Sequence, residues 1–311
     1  MSNSLKSKKI LVVMGGPSKE SAISLKSGRT VLNALRRIGL TAEGLEASDN
    51  NPSAFFEKKL KELKPDICFL ALHGAFGEDG EAQKILEELG ISYTGSGPAA
   101  SLRAFNKILT KEILVKNNIP TPAYYSLKRG APFTNRLKLP VVIKPACQGS
   151  TIGISVVRKE DEIAKALSEA FSYGHEVLVE TYIPGREMTV GILGDKALPV
   201  VEIKSTRFIF DYEAKYHDPE TKYIVPAELS PEVAAELKAL ARRVHKALGL
   251  KDFSRVDLIL GEDGRPYILE ANTIPGLSER SLFPKACQAA GLSFEKMCLK
   301  IIFPPLANAP I

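Results

Sequence analysis

The stretch "RVDLILGEDGRPYILEANTIPG", Arg255 to Gly276, puts four residues with the chemistry of a charged site close together: Arg255, Asp257, Glu270 and Asn272. It reads as two Leu/Ile-rich strands around a tight turn, with Asp263 and Gly264 supplying the positive φ angles of a two-residue loop. Such a loop sets Glu262 opposite Arg265. Counting outward then sets Asp257 opposite Glu270 and Arg255 opposite Asn272. Side chains alternate faces along a strand, so these four share one face, while Val256, Leu258, Leu260, Leu269 and Ala271 make an apolar face behind them. A slip of one residue in the turn inverts the faces. Two carboxylates, a carboxamide and a guanidinium form either a satisfied ion-pair network or a hard-metal site. Oxygen ligands of this kind suit Mg²⁺, which commonly shares carboxylates with substrate phosphates. The second reading requires a nucleotide site elsewhere in the chain.

Candidate partners for a nucleotide exist. The loop "KPACQGSTIG" follows the strand "PVVI", where backbone N–H groups can wrap phosphates and Lys144 adds positive charge at the strand end. The same loop reads equally as a hairpin turn, and the GxxxxGK[ST] phosphate loop is absent. Further on, "VLVETYIPGREMTV" carries Glu180 at a strand end and Glu187 after it. They are placed either to take an adenine amino group and ribose hydroxyls, or as solvated carboxylates beside a hinge. Lys107, in "AFNKILTKEIL", is a phosphate ligand or an exposed helix cation. The long segment "FDYEAKYHDPETKYIVPAEL" has the length of an active-site lid, with Lys215 in reach of a γ-phosphate and Tyr216 of a substrate. Its tyrosines alternatively pin the loop to the body.

The elements that must position these residues begin with a strand, "KKILVVMGG", followed by a helix from Ser21 to Ile38, a strand near Thr41–Leu45 and a helix from Pro52 to Leu63. A strand at "DICFLAL" and a helix from Glu81 to Leu89 complete a parallel α/β unit, whose ligand sites belong at strand carboxyl ends. Two glycine-bearing loops, "GGPSKES" and "HGAFGEDG", sit at such ends. From Ala99 the pattern changes to α+β: one helix to Asn117, two strands around the glycine loop, a helix over Asp161–Ser172 and a strand at "EVLVET". Strands near Met188–Leu193 and Ala197–Ile203, a helix from Ser230 to Leu248 and the charged hairpin follow. Ser230 is placed as N-cap, Pro231 at N1 and Gly249 at the C-cap. The end "FPPLANAPI" reads as a tail.

With 311 residues the chain has room for two or three domains. No apolar run is long enough to span a membrane, and "MSNSLKSKK" has no signal-peptide core. The net charge of +6 is spread among interleaved Lys and Glu, which favours small anionic substrates over nucleic acid. Cys68, Cys147, Cys287 and Cys298 form no CxxC pair, so reduced thiols in a cytoplasmic protein are expected rather than structural zinc. Near Lys144 and the loop N–H groups, the Cys147 thiolate is expected to be favoured. "VVMGGPSKES" lacks G-x-G-x-x-G, which sets aside a nicotinamide enzyme.

Taken in order, "GGPSKESAISLKSG", "ALHGAFGEDGEAQ", "YTGSG", "KPACQGSTIG", "DYEAKYHDPETKY" and "RVDLILGEDG…YILEANTIPG" resemble the ATP-grasp ligases and, within them, the D-alanine–D-alanine ligase family, over nearly the whole chain. The resemblance implies a three-domain α/β and α+β fold: an N-terminal parallel α/β domain (1–98), then a central (99–185) and a C-terminal (186–311) α+β domain that clasp ATP. It implies phosphate contacts from Lys107, Lys144 and Lys215, and a loop cover from Gln148, Gly149, Ser150, Thr151 and on to Gly153. Adenine falls to Glu180 with the backbone of Thr181 and Ile183, and ribose to Glu187. Two Mg²⁺, or Mn²⁺ in their place, fall to Asp257, Glu270 and Asn272.

On the substrate side the resemblance implies that Glu20 meets the ammonium of a first D-alanine, in a network with Ser150 and Tyr216. Arg255 and the Gly276 N–H form an oxyanion hole; Ser281 and Leu282 receive the second carboxylate, and His73 joins the substrate contacts. It further implies a homodimer, and an ATP-driven ligation of two D-alanines through an acyl phosphate for peptidoglycan precursors. D-Lactate or D-serine as second substrate, or a non-catalytic nucleotide-binding protein, are the alternatives; relatives that favour D-lactate tend to lack the tyrosine at position 216. The chain departs from many relatives at Cys147 and Gln148, at Thr181, and in the Glu279-Arg280 pair beside Ser281.

Overall fold

The apolar run Ile10–Gly15 forms β1, fully buried at the centre of a four-stranded parallel sheet. Its neighbours are β2 (Ala42–Ala47) and β3 (Ile67–Leu70), with β4 (Ser92–Tyr93) beyond β3. The helices between them are α1 (Ser21–Arg37), α2 (Pro52–Leu63) and α3 (Glu81–Glu88). Gly28 lets α1 lie close on β1, since a Cβ there would come 2.4 Å from Met14 Cβ. The computed structural model describes residues 7–47, 50–134, 136–204 and 221–303.

The next sheet is antiparallel, in the order β5 (Tyr124–Lys128), β8 (Glu176–Thr181), β6 (Val141–Pro145), β7 (Ser155–Val157). Strand alternation divides its faces. Val141, Ile143, Val177 and Val179 pack under α6 (Ile163–Phe171), while Val142, Lys144 and Glu180 face a cleft. Across that cleft stands a six-stranded sheet of β12 (Lys222–Ile224), β11 (Val201–Lys204), β9 (Gly185–Leu193), β13 (Phe253–Gly261) and β14 (Pro266–Asn272), with β10 (Lys196–Ala197) paired to β9. Its far face buries Met188, Val190, Val256, Leu258 and Ile268 against α7 (Pro231–Leu248). The Ser230 hydroxyl accepts from Val233 N–H, and Gly249 closes α7 in the left-handed conformation (φ 72°), as read from the sequence.

Four features differ from the sequence reading. The helix expected from Ala99 to Asn117 is two helices, α4 (Pro98–Phe105) and α5 (Lys107–Lys116). Asn106 breaks it: with an extended backbone, its side chain accepts from Ile108 N–H (3.0 Å) and Leu109 N–H (3.3 Å) as the N-cap of α5. The Lys107 N–H is thereby aimed at Ala146 O, 2.8 Å away at the end of β6. Residues 222–224 of the long loop form an edge strand. Strand β5 and the helices α8 (Leu282–Ala289) and α9 (Phe294–Ile302) were not read; the two helices pack with α1 and β1 in one core, through Phe283, Ala286, Met297 and Ile301. The tail from residue 304 lies outside the described residues.

The fourth difference is the hairpin register. Leu258 pairs with Ile268 and Leu260 with Pro266, one residue out of the expected register, because Gly261 N–H bonds Arg265 O across a three-residue loop. A bulge between Asp257 and Leu258 then absorbs Leu269 and restores the pairs Asp257–Glu270 and Arg255–Asn272. Leu269 was assigned to the core; it lines the cleft instead, and Ile268 is fully buried in its place. The bulge predicts that Ile268→Ala costs about 3 kcal/mol and Leu269→Ala less than about 1 kcal/mol in denaturant unfolding. The reverse order would contradict it.

Candidate active site

The charged face of the hairpin forms the floor. Arg255 forks onto Asp257, Nε to Oδ1 at 2.9 Å and Nη2 to Oδ2 at 2.7 Å. Thr189, opposite Asp257 on β9, donates its hydroxyl to Oδ1 (2.6 Å), and Asn272 donates its amide to Oδ2 (3.0 Å). Glu270 is paired with Lys107 of α5 at 3.0 Å. Burial pushes the Lys107 ammonium down, and the adjoining Glu270 carboxylate more than offsets this and leaves it raised. Of the two readings of this pattern, the ion-pair network is what the structure displays. The donor set also fits a hard divalent cation: Asp257, Glu270 and the carboxamide of Asn272 present oxygen on one face that opens to cavities on both sides. No cluster of three His, Cys, Asp or Glu occurs among the described residues, so Asn272 is needed as the third donor.

The first cavity lies between the two antiparallel sheets. Lys144, Thr151, Glu180, Thr181, Ile183 and Glu187 line it, with Asp257 and Glu270 at its floor. Val142, Ile154, Val156, Ile259 and Leu269 make apolar walls. Ser150 (φ 49°) and Thr151 (φ 61°) are consecutive non-glycine residues in the left-handed region, followed by Gly153 (φ 71°). They are the two central residues of a tight turn closed by Ile152 N–H to Gly149 O (3.1 Å), with Ile154 N–H turned back to Thr151 O (3.4 Å). Lys107 donates to Gln148 O (2.7 Å), which fixes the loop to α5; neither Lys107 nor Gln148 itself lines either cavity.

Glu180, 2% exposed, is held from two sides. Lys144 donates to Oε1, and Lys111 lies 2.7 Å from Oε2 as an ion pair that leaves this oxygen without an aligned hydrogen bond. Burial alone would raise the Glu180 carboxyl; the charges of Lys111 and Lys144 outweigh it and lower it. The Thr181 N–H is engaged by Ala123 O at 2.9 Å and is therefore not open to a ligand.

The second cavity shares Glu270 with the first and is lined by Glu20, His73, Gly149, Ser150, Arg255 and Asn272. Gly276, Ser281 and Leu282 line it too. Ser150 donates to Glu20, so the glycine loop closes onto the parallel sheet; a Cβ at Gly149 would come 2.6 Å from Glu20 Oε2. His73 Nε2 contacts Ser27 Oγ at 3.2 Å, and Ser27 Oγ accepts from Leu277 N–H, linking α1 to the segment after β14. Ser281 opens α8, its hydroxyl 2.8 Å from that of Ser278, and a Cβ at Gly276 would meet it at 2.9 Å. Lys215 and Tyr216 lie outside the described residues.

Sequence reasoning missed three groups. Lys111 follows Lys107 by one helical turn, an i, i+4 spacing that was there to be read. Thr189 becomes relevant only through the β9–β13 register. Glu78 sits within "HGAFGEDG", buried and accepting from Gly74 N–H at 2.7 Å. One expectation is reversed: burial raises the Cys147 thiol, and the cation opposing that is Lys107 rather than Lys144, so the thiolate is not favoured.

Burial and the neighbouring Glu20 charge push the Glu78 carboxyl up to about 8, while burial pushes His73 down against the pull of Glu20. The folded protein thus keeps a proton on Glu78 that the unfolded chain loses near 4.5. This contribution to stability is complete below that pH and lost as pH rises through about 8. In Glu78→Gln, stability measured by chemical unfolding should decline less over this window, by up to about 1.4 kcal/mol per pH unit. Identical pH slopes in the two proteins would contradict the assignment.

Two sequence-family models match: "D-ala D-ala ligase N-terminus" over residues 41–96 and "D-ala D-ala ligase C-terminus" over residues 114–303. The chain is 42% identical over 298 residues to the D-alanine–D-alanine ligase of Citrifermentans bemidjiense, covering 96% of each. It is 41% identical to D-alanine–D-alanine ligase B of Chromobacterium violaceum, over 94% of this chain and 96% of that one. Among solved structures, the Bacillus anthracis D-alanine–D-alanine ligase complexed with ATP superposes with a TM-score of 0.84 at 31% identity, covering 96% of this chain and 97% of the other. The VanG D-Ala:D-Ser ligase of Enterococcus faecalis follows at 0.80 and 28%, covering 95% and 98%. The chain belongs to the D-alanine–D-alanine ligase family, with its ATP-grasp fold.

Proposed function

We propose that the protein joins two D-alanine molecules into D-alanyl-D-alanine at the expense of ATP, releasing ADP and phosphate. The observation that carries this reading is the junction of two cavities at Glu270: an apolar-walled cleft lined by Lys144, Glu180 and Glu187, and a chamber lined by Glu20 and Arg255. In this assignment the adenine lies against Glu180, Thr181 and Ile183, the ribose near Glu187, and the triphosphate runs under the 148–153 loop toward Lys107, Lys144 and Lys215. Asp257, Glu270 and Asn272 hold two Mg²⁺, or Mn²⁺; when bound, the ions neutralise phosphate charge.

The first D-alanine enters the chamber with its ammonium toward Glu20, whose carboxylate is oriented by Ser150 and, in the family pattern, by Tyr216. A carboxylate oxygen of that substrate bonds to the γ-phosphorus as the bond to ADP breaks, giving an acyl phosphate. Two anions must approach for this step, so the cations of the cleft offset their repulsion. The second D-alanine, its carboxylate at Ser281 and the Leu282 end of α8, loses an ammonium proton, and its nitrogen attacks the acyl carbon. Arg255 and the Gly276 N–H stabilise the tetrahedral oxyanion, where a single donor contributes roughly 3–4 kcal/mol. Collapse expels phosphate and leaves the dipeptide. In the family pattern, water that would hydrolyse the acyl phosphate is kept from it during this sequence.

Glu270→Gln should abolish D-alanine-dependent ADP release while leaving the circular-dichroism spectrum that of the folded wild type. Turnover at the wild-type rate would contradict the role given to Glu270. ADP release measured across D-alanine, D-serine and D-lactate, with products weighed by mass spectrometry, tests the substrate. D-Alanyl-D-alanine is expected as the main product; a D-alanyl-D-serine or D-alanyl-D-lactate majority would overturn the assignment of the second substrate.

A further inference from the structure

Glu180 has more positive charge around it than one carboxylate requires. Lys144 and Lys111 both pair with it, one on each oxygen, yet the two lysines are placed differently. Lys144 lines the cleft at the end of β6, within reach of a bound molecule. Lys111 has no exposed surface and lines neither cavity. Its ammonium is tied down by Thr121 Oγ1 at 2.5 Å, with Ile268 O at 3.4 Å, and Thr121 is itself bonded to Ile268 O at 2.7 Å. The Tyr124 ring covers it at 5.9 Å. Lys111 thus touches Glu180 from behind and has no path to a ligand.

This asymmetry matters when a triphosphate enters. Lys144 can turn from Glu180 to the incoming phosphate only if Glu180 is not left as an unpaired buried carboxylate, which is a severely unfavourable state. We infer that Lys111 is a positioning residue for nucleotide binding: it holds Glu180 ionised and in place when Lys144 exchanges that carboxylate for the phosphates. Lys107 and Lys111, one turn apart on α5, then divide the task, one behind the carboxylate at the phosphate end of the cleft and one behind that at the adenine end. The inference rests on the ATP reading of the cleft.

The test compares ATP affinity by calorimetry and the KM values for ATP and D-alanine in wild type, Lys111→Met, Glu180→Gln and the double variant. Lys111→Met should weaken ATP binding about tenfold or more and raise KM for ATP, with KM for D-alanine within about twofold. In the Glu180→Gln background, where no buried carboxylate needs a counter-charge, removing Lys111 should cause no further loss. A folded Lys111→Met that binds ATP like the wild type overturns the inference, as does an equal loss in both backgrounds. If Lys111→Met alone does not fold, the Glu180→Gln pair decides: a soluble double variant with the ATP affinity of Glu180→Gln supports the role, and a further loss or an insoluble double variant overturns it. Wild-type protein that binds no ATP overturns both this inference and the reading beneath it.

Discussion

The interaction on which the site depends is the pairing of buried or half-buried carboxylates with cations, most of them delivered from other elements. Asp257 is held by Arg255 two residues away on its own strand, Glu270 by Lys107, and Glu180 by Lys111 and Lys144. A carboxylate removed from water without such a partner is costly enough to be protonated instead, as Glu78 shows by its raised carboxyl. Pairing with Lys111 and Lys144 keeps Glu180 ionised in a space whose burial alone would raise its carboxyl. It also acts as a mechanical tie. Helix α5 grips β14 through Glu270, β8 through Glu180 and the glycine loop through Gln148 O, so one helix sets the separation of the two sheets that form the cleft.

These pairs are well suited to exchange. An Mg²⁺ ion and a lysine ammonium satisfy the same carboxylate oxygen, and a phosphate and a glutamate satisfy the same lysine. A ligand that brings anionic phosphates with hard cations can replace internal partners with external ones, with little change in net buried charge. The chamber beyond Glu270 is built differently: among the described residues Glu20 there is held by the Ser150 hydroxyl rather than by an ion pair. Adjoining sites that share Glu270, one lined by Lys144 and the other by Glu20 and Arg255, suit a reaction that moves a phosphoryl group onto an amino acid.

Much of this was legible in the sequence because it is carried by local patterns. Apolar runs ending in glycine gave β1 and its loop, and Ser230, Pro231 and Gly249 bounded α7 by cap chemistry alone. The charged face of the hairpin was correctly paired at Asp257–Glu270 and Arg255–Asn272, although the turn was misjudged by one residue. Alternation counts residues and does not see a bulge, so a three-residue loop and the Leu269 bulge cancelled without trace, apart from the exchange of Ile268 for Leu269 in the core. What stayed hidden was tertiary. Lys111 was one of several lysines on a helix until α5 proved to lie behind β8, and Asn106 read as helix interior although its extended backbone ends one helix and its side chain begins another. The Cys147 reading failed for the related reason that the orientation of Lys144, turned to Glu180, cannot be seen in the spacing of the two residues.

The most direct test of this exchange is a crystal structure with a non-hydrolysable ATP analogue and Mg²⁺ bound. The account predicts metal density between Asp257, Glu270 and Asn272, Lys144 turned from Glu180 to the phosphates, and Lys111 still against Glu180. Nucleotide bound in the cleft with Lys144 still on Glu180, or with metal held away from the Asp257–Glu270 face, would contradict it.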